Sequence, residues 1–196
     1  MSFMLLGILN SQAAGGGGGS YDLIESQILS SSQTSITFSS LSAYASDYKH
    51  LQIRAVTRDN RAISGGNNVI MQFNGDTTGS NYYQLHFLKG DGSTVSSGAE
   101  GAASYILPFT QPSANDTTDA FAPAVIDLLD VFSSDKFTTS RSLRGVNLDA
   151  AFTTQVGLSS GMWMNTAALT EIKLQPVIGD FAAKTRISIY GVKGEL

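Results

Sequence analysis

The sequence predicts an all-β fold, a single antiparallel β-sandwich of jelly-roll type with an extended N-terminal arm. Three observations predict it. From Tyr21 onward apolar residues recur mostly at every second position, Gly, Asn, Asp and Ser cluster between those runs, and the 3.6-residue period of an amphipathic helix is scarce. At 196 residues, 42% of them hydrophobic, the chain can bury one sizeable core and carry a short appendage; two full domains would be cramped.

The first element is the appendage. Met1 to Leu9 is nearly all apolar, and after Asn10-Ser11-Gln12-Ala13-Ala14 the chain enters the glycine run Gly15 to Gly19. The run has the length of a signal-peptide core, but no Lys or Arg precedes it, so the charged leader of a secretory signal is missing. It is also about half the roughly 20 residues that a bilayer span requires, which argues against membrane insertion. A docking peptide is the better reading, with Phe3, Met4, Leu5, Leu6, Ile8 and Leu9 as the anchoring side chains. Residues 1–20 are therefore expected to be arm and tether, and residues 21–196 the sandwich.

The strands follow in order. Leu51, Ile53 and Ala55 alternate with His50, Gln52 and Arg54; Val69, Met71 and Phe73 with Ile70 and Gln72; Tyr83, Leu85 and Phe87 with Tyr82, Gln84 and His86. Each run predicts a strand with one apolar face. Further strands are expected across Ala122 to Leu129, Ser142 to Val146, Thr154 to Leu158, Leu169 to Val177 and Thr185 to Val192, about nine or ten in all. Asn74-Gly75-Asp76, Lys89-Gly90-Asp91-Gly92-Ser93 and Ile178-Gly179-Asp180 supply turns. Val95 to Thr118, rich in Ser, Ala, Gly and Thr and holding Pro108 and Pro112, reads as a long loop or a poorly paired edge.

Charge and chemistry narrow the function. A formal net charge of −4 with scattered Lys and Arg argues against a nucleic-acid or anionic-membrane partner. With no cysteine, disulfides, thiolate catalysis and cysteine-ligated metals are excluded. Gly157-Leu158-Ser159-Ser160-Gly161 fits the G-x-S-x-G pattern of a nucleophile elbow, yet both histidines, His50 and His86, precede it and no helix follows, so a strand ending in a turn is preferred. The pairs Asp127/Asp130 and Asp116/Asp119 raise glycoside hydrolysis, which needs two carboxyl groups held about 5 to 10 Å apart. The polar side of a strand accounts for Asp127 equally well. No metal-ligand spacing is present, and no cofactor is expected. Tyr82, Tyr83, Tyr105 and Trp163 are the one set a ligand could use, as sugar-stacking aromatics; core packing is the alternative, and for the single Trp the preferred one.

Several phrases resemble one another's counterparts in a known group. Tyr48-Lys49-His50-Leu51-Gln52-Ile53-Arg54, Phe73-Asn74-Gly75-Asp76, Asn81-Tyr82-Tyr83, Ile126-Asp127-Leu128-Leu129-Asp130, Ser160-Gly161-Met162-Trp163 and Ile189-Tyr190-Gly191-Val192-Lys193-Gly194 look like short tailed-bacteriophage virion proteins, of tail-fibre or head-decoration type. The opening Leu5-Leu6-Gly7-Ile8-Leu9-Asn10-Ser11-Gln12-Ala13 before glycines is similar to their usual start. The resemblance implies a non-enzymatic particle component on the virion surface, anchored by its arm to other head or tail proteins, with a host-surface glycan as a further partner. A homotrimer is expected as well, which fits a charged fraction of 14% against a typical quarter.

Overall fold

The computed structural model describes residues 21–90, 94–148 and 155–194. The expected anchor residues Phe3, Met4, Leu5, Leu6, Ile8 and Leu9 lie outside them, as does the expected turn at Asp91-Gly92-Ser93. Within the described residues the chain forms twelve strands and one short 3₁₀ turn, Leu41–Tyr44. The strands are β1 (Tyr21–Ile28), β2 (Ile36–Phe38), β3 (His50–Thr57), β4 (Asn67–Phe73), β5 (Tyr82–Gly90), β6 (Val95–Ala103), β7 (Ile106–Gln111), β8 (Ala122–Leu129), β9 (Thr138–Val146), β10 (Gln155–Trp163), β11 (Ile172–Pro176) and β12 (Arg186–Val192).

They pair antiparallel into an eight-stranded sheet, β1-β12-β3-β8-β9-β10-β5-β6, and a four-stranded sheet, β2-β11-β4-β7. This is the expected all-β sandwich. Twelve strands exceed the nine or ten expected, and β9, β10, β5 and β6 continue the larger sheet past β1-β12-β3-β8.

One half of the large sheet builds the core in the usual way. Leu51, Ile53 and Ala55 of β3, Ile126 and Leu128 of β8, and Ile187 and Ile189 of β12 point inward and are buried. Against them the small sheet sets Ile36, Phe38, Val69, Met71, Phe73, Ile172 and Leu174. The opposite faces of β3 and β12 carry Gln52, Arg54, Arg186 and Ser188, and the Arg54 guanidinium lies 4.7 Å from the centre of the Tyr190 ring. Apolar in and polar out is what one core and one wet face demand.

The other half reverses this. The buried positions of β9 are Thr138, Ser140, Ser142, Arg144 and Val146, and those of β10 are Gly157, Ser159, Gly161 and Trp163. Between them the outward positions hold Leu143 and Leu158, each 54% exposed. The cause is β7. It is the edge strand of the small sheet, with Ile106, Leu107, Pro108 and Phe109 all buried, and it approaches the large sheet with its backbone as well as its side chains. The Ser142 hydroxyl donates to the Pro108 carbonyl, and Arg144 Nη1 donates to Thr110 Oγ1 at 3.2 Å. At Gly161 a Cβ would lie 2.6 Å from Ile106 Cγ2 and 3.1 Å from the Tyr83 carbonyl, so no side chain fits. Small, hydrogen-bonding residues are needed where a strand edge comes this close.

One expectation is met in part and another is corrected. Val95 to Thr118, expected as a long loop or a poorly paired edge, holds the edge strand β6 and the buried strand β7, so the edge reading fits its first part and the loop reading fits the connection after Gln111. That connection is stitched down. Arg58, buried, donates to the carbonyls of Ala114, Thr117 and Ala120, while Asp116 accepts the backbone N–H groups of Gly65, Gly66 and Ser113. The alternation expected for Tyr83, Leu85 and Phe87 also breaks. Ser160 pairs with His86 but Met162 with Tyr83, so β5 carries one extra residue and a bulge inverts its facing. Tyr83, His86 and Leu88 therefore share the outer face, and Phe87 turns to the inner one beside Gly98.

Candidate functional site

Cross-strand register on the outer face assembles a site that no single stretch of sequence contains. Val125 of β8 pairs with Leu143 of β9, Leu143 with Leu158 of β10, and Leu158 with Leu88 of β5. The four stand in one row, between 37% and 54% exposed. The next row along the same strands is polar: Gln52, Asp127, Arg141, Ser160 and His86, again in direct register. Asp127 Oδ1 accepts from Gln52 Nε2 at 2.8 Å, and Asp127 Oδ2 accepts from Arg141 Nε at 3.0 Å. Between the two rows runs a groove of about 610 Å³.

A second hollow of about 470 Å³ adjoins it, lined by Tyr83, His86, Thr139, Ser160 and Met162. Here Tyr83 is exposed, with its ring 6.5 Å from that of His86. The four proposed sugar-stacking aromatics are thus separated by the fold. Tyr83 faces out, and Tyr105 is half-buried in the turn between β6 and β7. Tyr82 and Trp163 lie in the core, at 0% and 1% exposure, and cannot meet a sugar ring there.

Those two aromatics have a structural task instead. Phe73, Tyr82 and Trp163 form a cluster with ring centres 5.5 to 6.4 Å apart. Trp163 Nε1–H donates to Asp76 Oδ2 at 2.8 Å, and the Tyr82 hydroxyl donates to the Asp76 carbonyl while accepting the Phe73 N–H. Asp76 is placed by the turn Phe73-Asn74-Gly75-Asp76, in which Asn74 and Gly75 both take positive φ. Burial pushes the Tyr82 phenol up to about 12. Burial would raise the Asp76 carboxyl too, but the hydrogen bonds from Asn81, Trp163 and Thr78 outweigh it and hold the group at about 2.

The residues that suggested catalysis fall into other roles. Ser159 points inward within β10, which has no elbow, and its Oγ is buried without a partner among the described residues. Ser160 and His86 are register neighbours, but Asp127 lies three strands from His86, about 14 Å at the usual strand spacing, with Arg141 and Ser160 between. A carboxylate there cannot orient the imidazole. Asp116 caps a loop, Asp130 pairs with Lys136 at 3.7 Å, and His50 Nδ1 accepts the Asp130 N–H. Among the described residues no group of three His, Cys, Asp or Glu side chains is placed to hold a metal ion.

What the arrangement offers is a surface. The register that builds it was invisible in the alternation of any one strand, although Leu143, Leu158 and Leu88 each showed as apolar. No protein family, characterised protein or solved structure matches this chain.

Proposed function

We propose that this chain is a non-enzymatic structural protein on the surface of a bacteriophage particle, a tail-fibre or host-adhesion component. The single observation that supports assembly is the reversed polarity of β9 and β10, which turns Leu143 and Leu158 to solvent. Exposed apolar side chains standing in register across several strands are a liability on a solitary molecule and an asset on one that is packed against others. The resemblance of the sequence phrases to short phage virion proteins supplies the setting, and Tyr83 beside His86 supplies a modest hollow for a host glycan.

In this reading Phe3, Met4, Leu5, Leu6, Ile8 and Leu9 are the anchor. Each apolar side chain fully buried in a neighbouring virion protein contributes about 1.5–3 kcal/mol, and a homotrimer joins three such arms, so that retention multiplies through effective concentration. The broad apolar face also favours a second placement, as a decoration protein that binds laterally on the head.

Immunogold electron microscopy of intact particles, with an antibody to the β-domain, tests the proposal. Label at the tail supports the fibre, label around the head supports decoration, and unlabelled particles overturn the virion reading. Deleting Ser2 to Asn10 should leave a folded protein that no longer attaches; attachment by the truncated chain would show that the arm is not the anchor.

A further inference from the structure

We infer that the apolar half of the outer face is where a second copy of this chain seats, an inference that rests on the homo-oligomer proposed above. The charge of the face favours that occupant. Beside the row Val125, Leu143, Leu158 and Leu88 stand Asp127 and Arg141, bonded to one another, and Arg54, in register with Val125 and held by Gln52 and the Tyr190 ring, so each charge bordering the row already has a partner within the chain. A polyanion or an acidic lipid surface would instead require a run of cations.

Extent points the same way. The row crosses four adjacent strands, and in the next row along the strands Val156 of β10 and Val95 of β6, 62% and 73% exposed, add to the apolar area. Six exposed apolar side chains side by side exceed the scattered single residues of an ordinary surface, and a copy laid over them covers them together.

The edge itself is the third observation. The outermost strand β6 is exposed along Val95 to Ala102, and across Val95–Ala103 it carries neither Lys nor Pro and a single charge, Glu100, so it is lightly guarded against further pairing. Its side chains are Ser, Gly and Ala for the most part, so a copy lying on the outer face can overhang it without a clash.

The seating follows from the spacing. Rows on one face of a sheet stand about 7 Å apart, and stacked sheets pack about 10 Å apart. The apolar row of one copy can enter the groove of about 610 Å³ on the other, with its side chains interleaved. That covers the leucines which the approach of β7 has forced outward.

Sedimentation velocity on the full chain over a concentration series tests this, with Leu143→Glu plus Leu158→Glu as the disrupting variant. Ile178→Glu, at a position 60% exposed just after β11, is the control. The native chain and the control should associate, and the double variant should sediment as a single chain. An oligomer that survives the double substitution overturns this interface and leaves the oligomer standing. A native chain that stays single at every concentration overturns both, while the gold-labelling result on particles stands apart.

Should the double variant fail to fold, the absence of native cysteine allows a second measurement. Leu158→Cys carries the only thiol, and its labelling by a bulky maleimide should slow at least tenfold between dilute and concentrated protein, whereas Ile178→Cys should label at one rate. Equal, concentration-independent rates at both positions overturn the inference.

Discussion

Two halves of one sheet obey opposite rules. In β3 and β12 the leucines and isoleucines face the small sheet and the arginines face water; in β9 and β10 serine, glycine and Arg144 face inward and leucine faces water. Both halves alternate with period two, so the difference lies in what each inner face meets. The first half meets the side chains of β2, β11 and β4, which reward apolar area. The second meets the edge of β7, where Ser142 must answer a carbonyl and Gly161 must leave room for Ile106. Alternation therefore sets a residue's face, and the neighbour across the interior sets which face is apolar.

The largest expected effect tests the first half directly. Ile126→Ala, at a fully buried position of β8, should cost about 2–5 kcal/mol in urea unfolding, while Leu143→Ala in the dissociated chain should stay within about 0.5 kcal/mol. Comparable losses at the two sites would break the contrast. Next in size is the close approach in the second half. Gly161→Val must displace Ile106 and meet the Tyr83 carbonyl, and overpacking of this kind costs about 1–3 kcal/mol. A tolerated valine would mean that β7 does not lie against β10.

Much of the first half was legible. Leu51, Ile53 and Ala55, and Val69, Met71 and Phe73, are buried on the faces that their alternation indicates, and Asn74-Gly75-Asp76 is a turn. The second half was legible as strand but not as orientation, because alternation alone sends Leu143 and Leu158 inward. The bulge in β5 hid the shared face of Tyr83, His86 and Leu88, since one extra residue exchanges the two sides. β6 offers Ser, Gly and Ala with no apolar alternation, for the physical reason that neither face is covered. Tyr82 and Trp163 could be read as aromatics, but their enclosure depends on Asp76 arriving from a different turn.

That contact gives a pH-dependent prediction. Since the Asp76 carboxyl is held at about 2 in the fold, below its ordinary value of 3.8, its contribution is fully present above about pH 4 and is lost as pH falls toward 2. Trp163, the single tryptophan, should report the loss as a change in fluorescence that begins before global unfolding. Asp76→Asn should remove this acid step; an unchanged acid profile would show that the carboxylate is not what Trp163 senses.

The smallest expected effect separates two serines that the sequence cannot tell apart. Ser142 and Ser159 are register partners, both facing β7 and both buried, yet only Ser142 has an acceptor, the Pro108 carbonyl. Ser142→Ala leaves a buried carbonyl without its donor and should cost about 1 kcal/mol. Ser159→Ala removes a buried hydroxyl that has no partner among the described residues, so the substitution should be neutral or slightly stabilising. Denaturant midpoints decide it. Equal losses would mean that β7 bonds to both strands, and that the inner serines of β9 and β10 are held by one continuous edge contact.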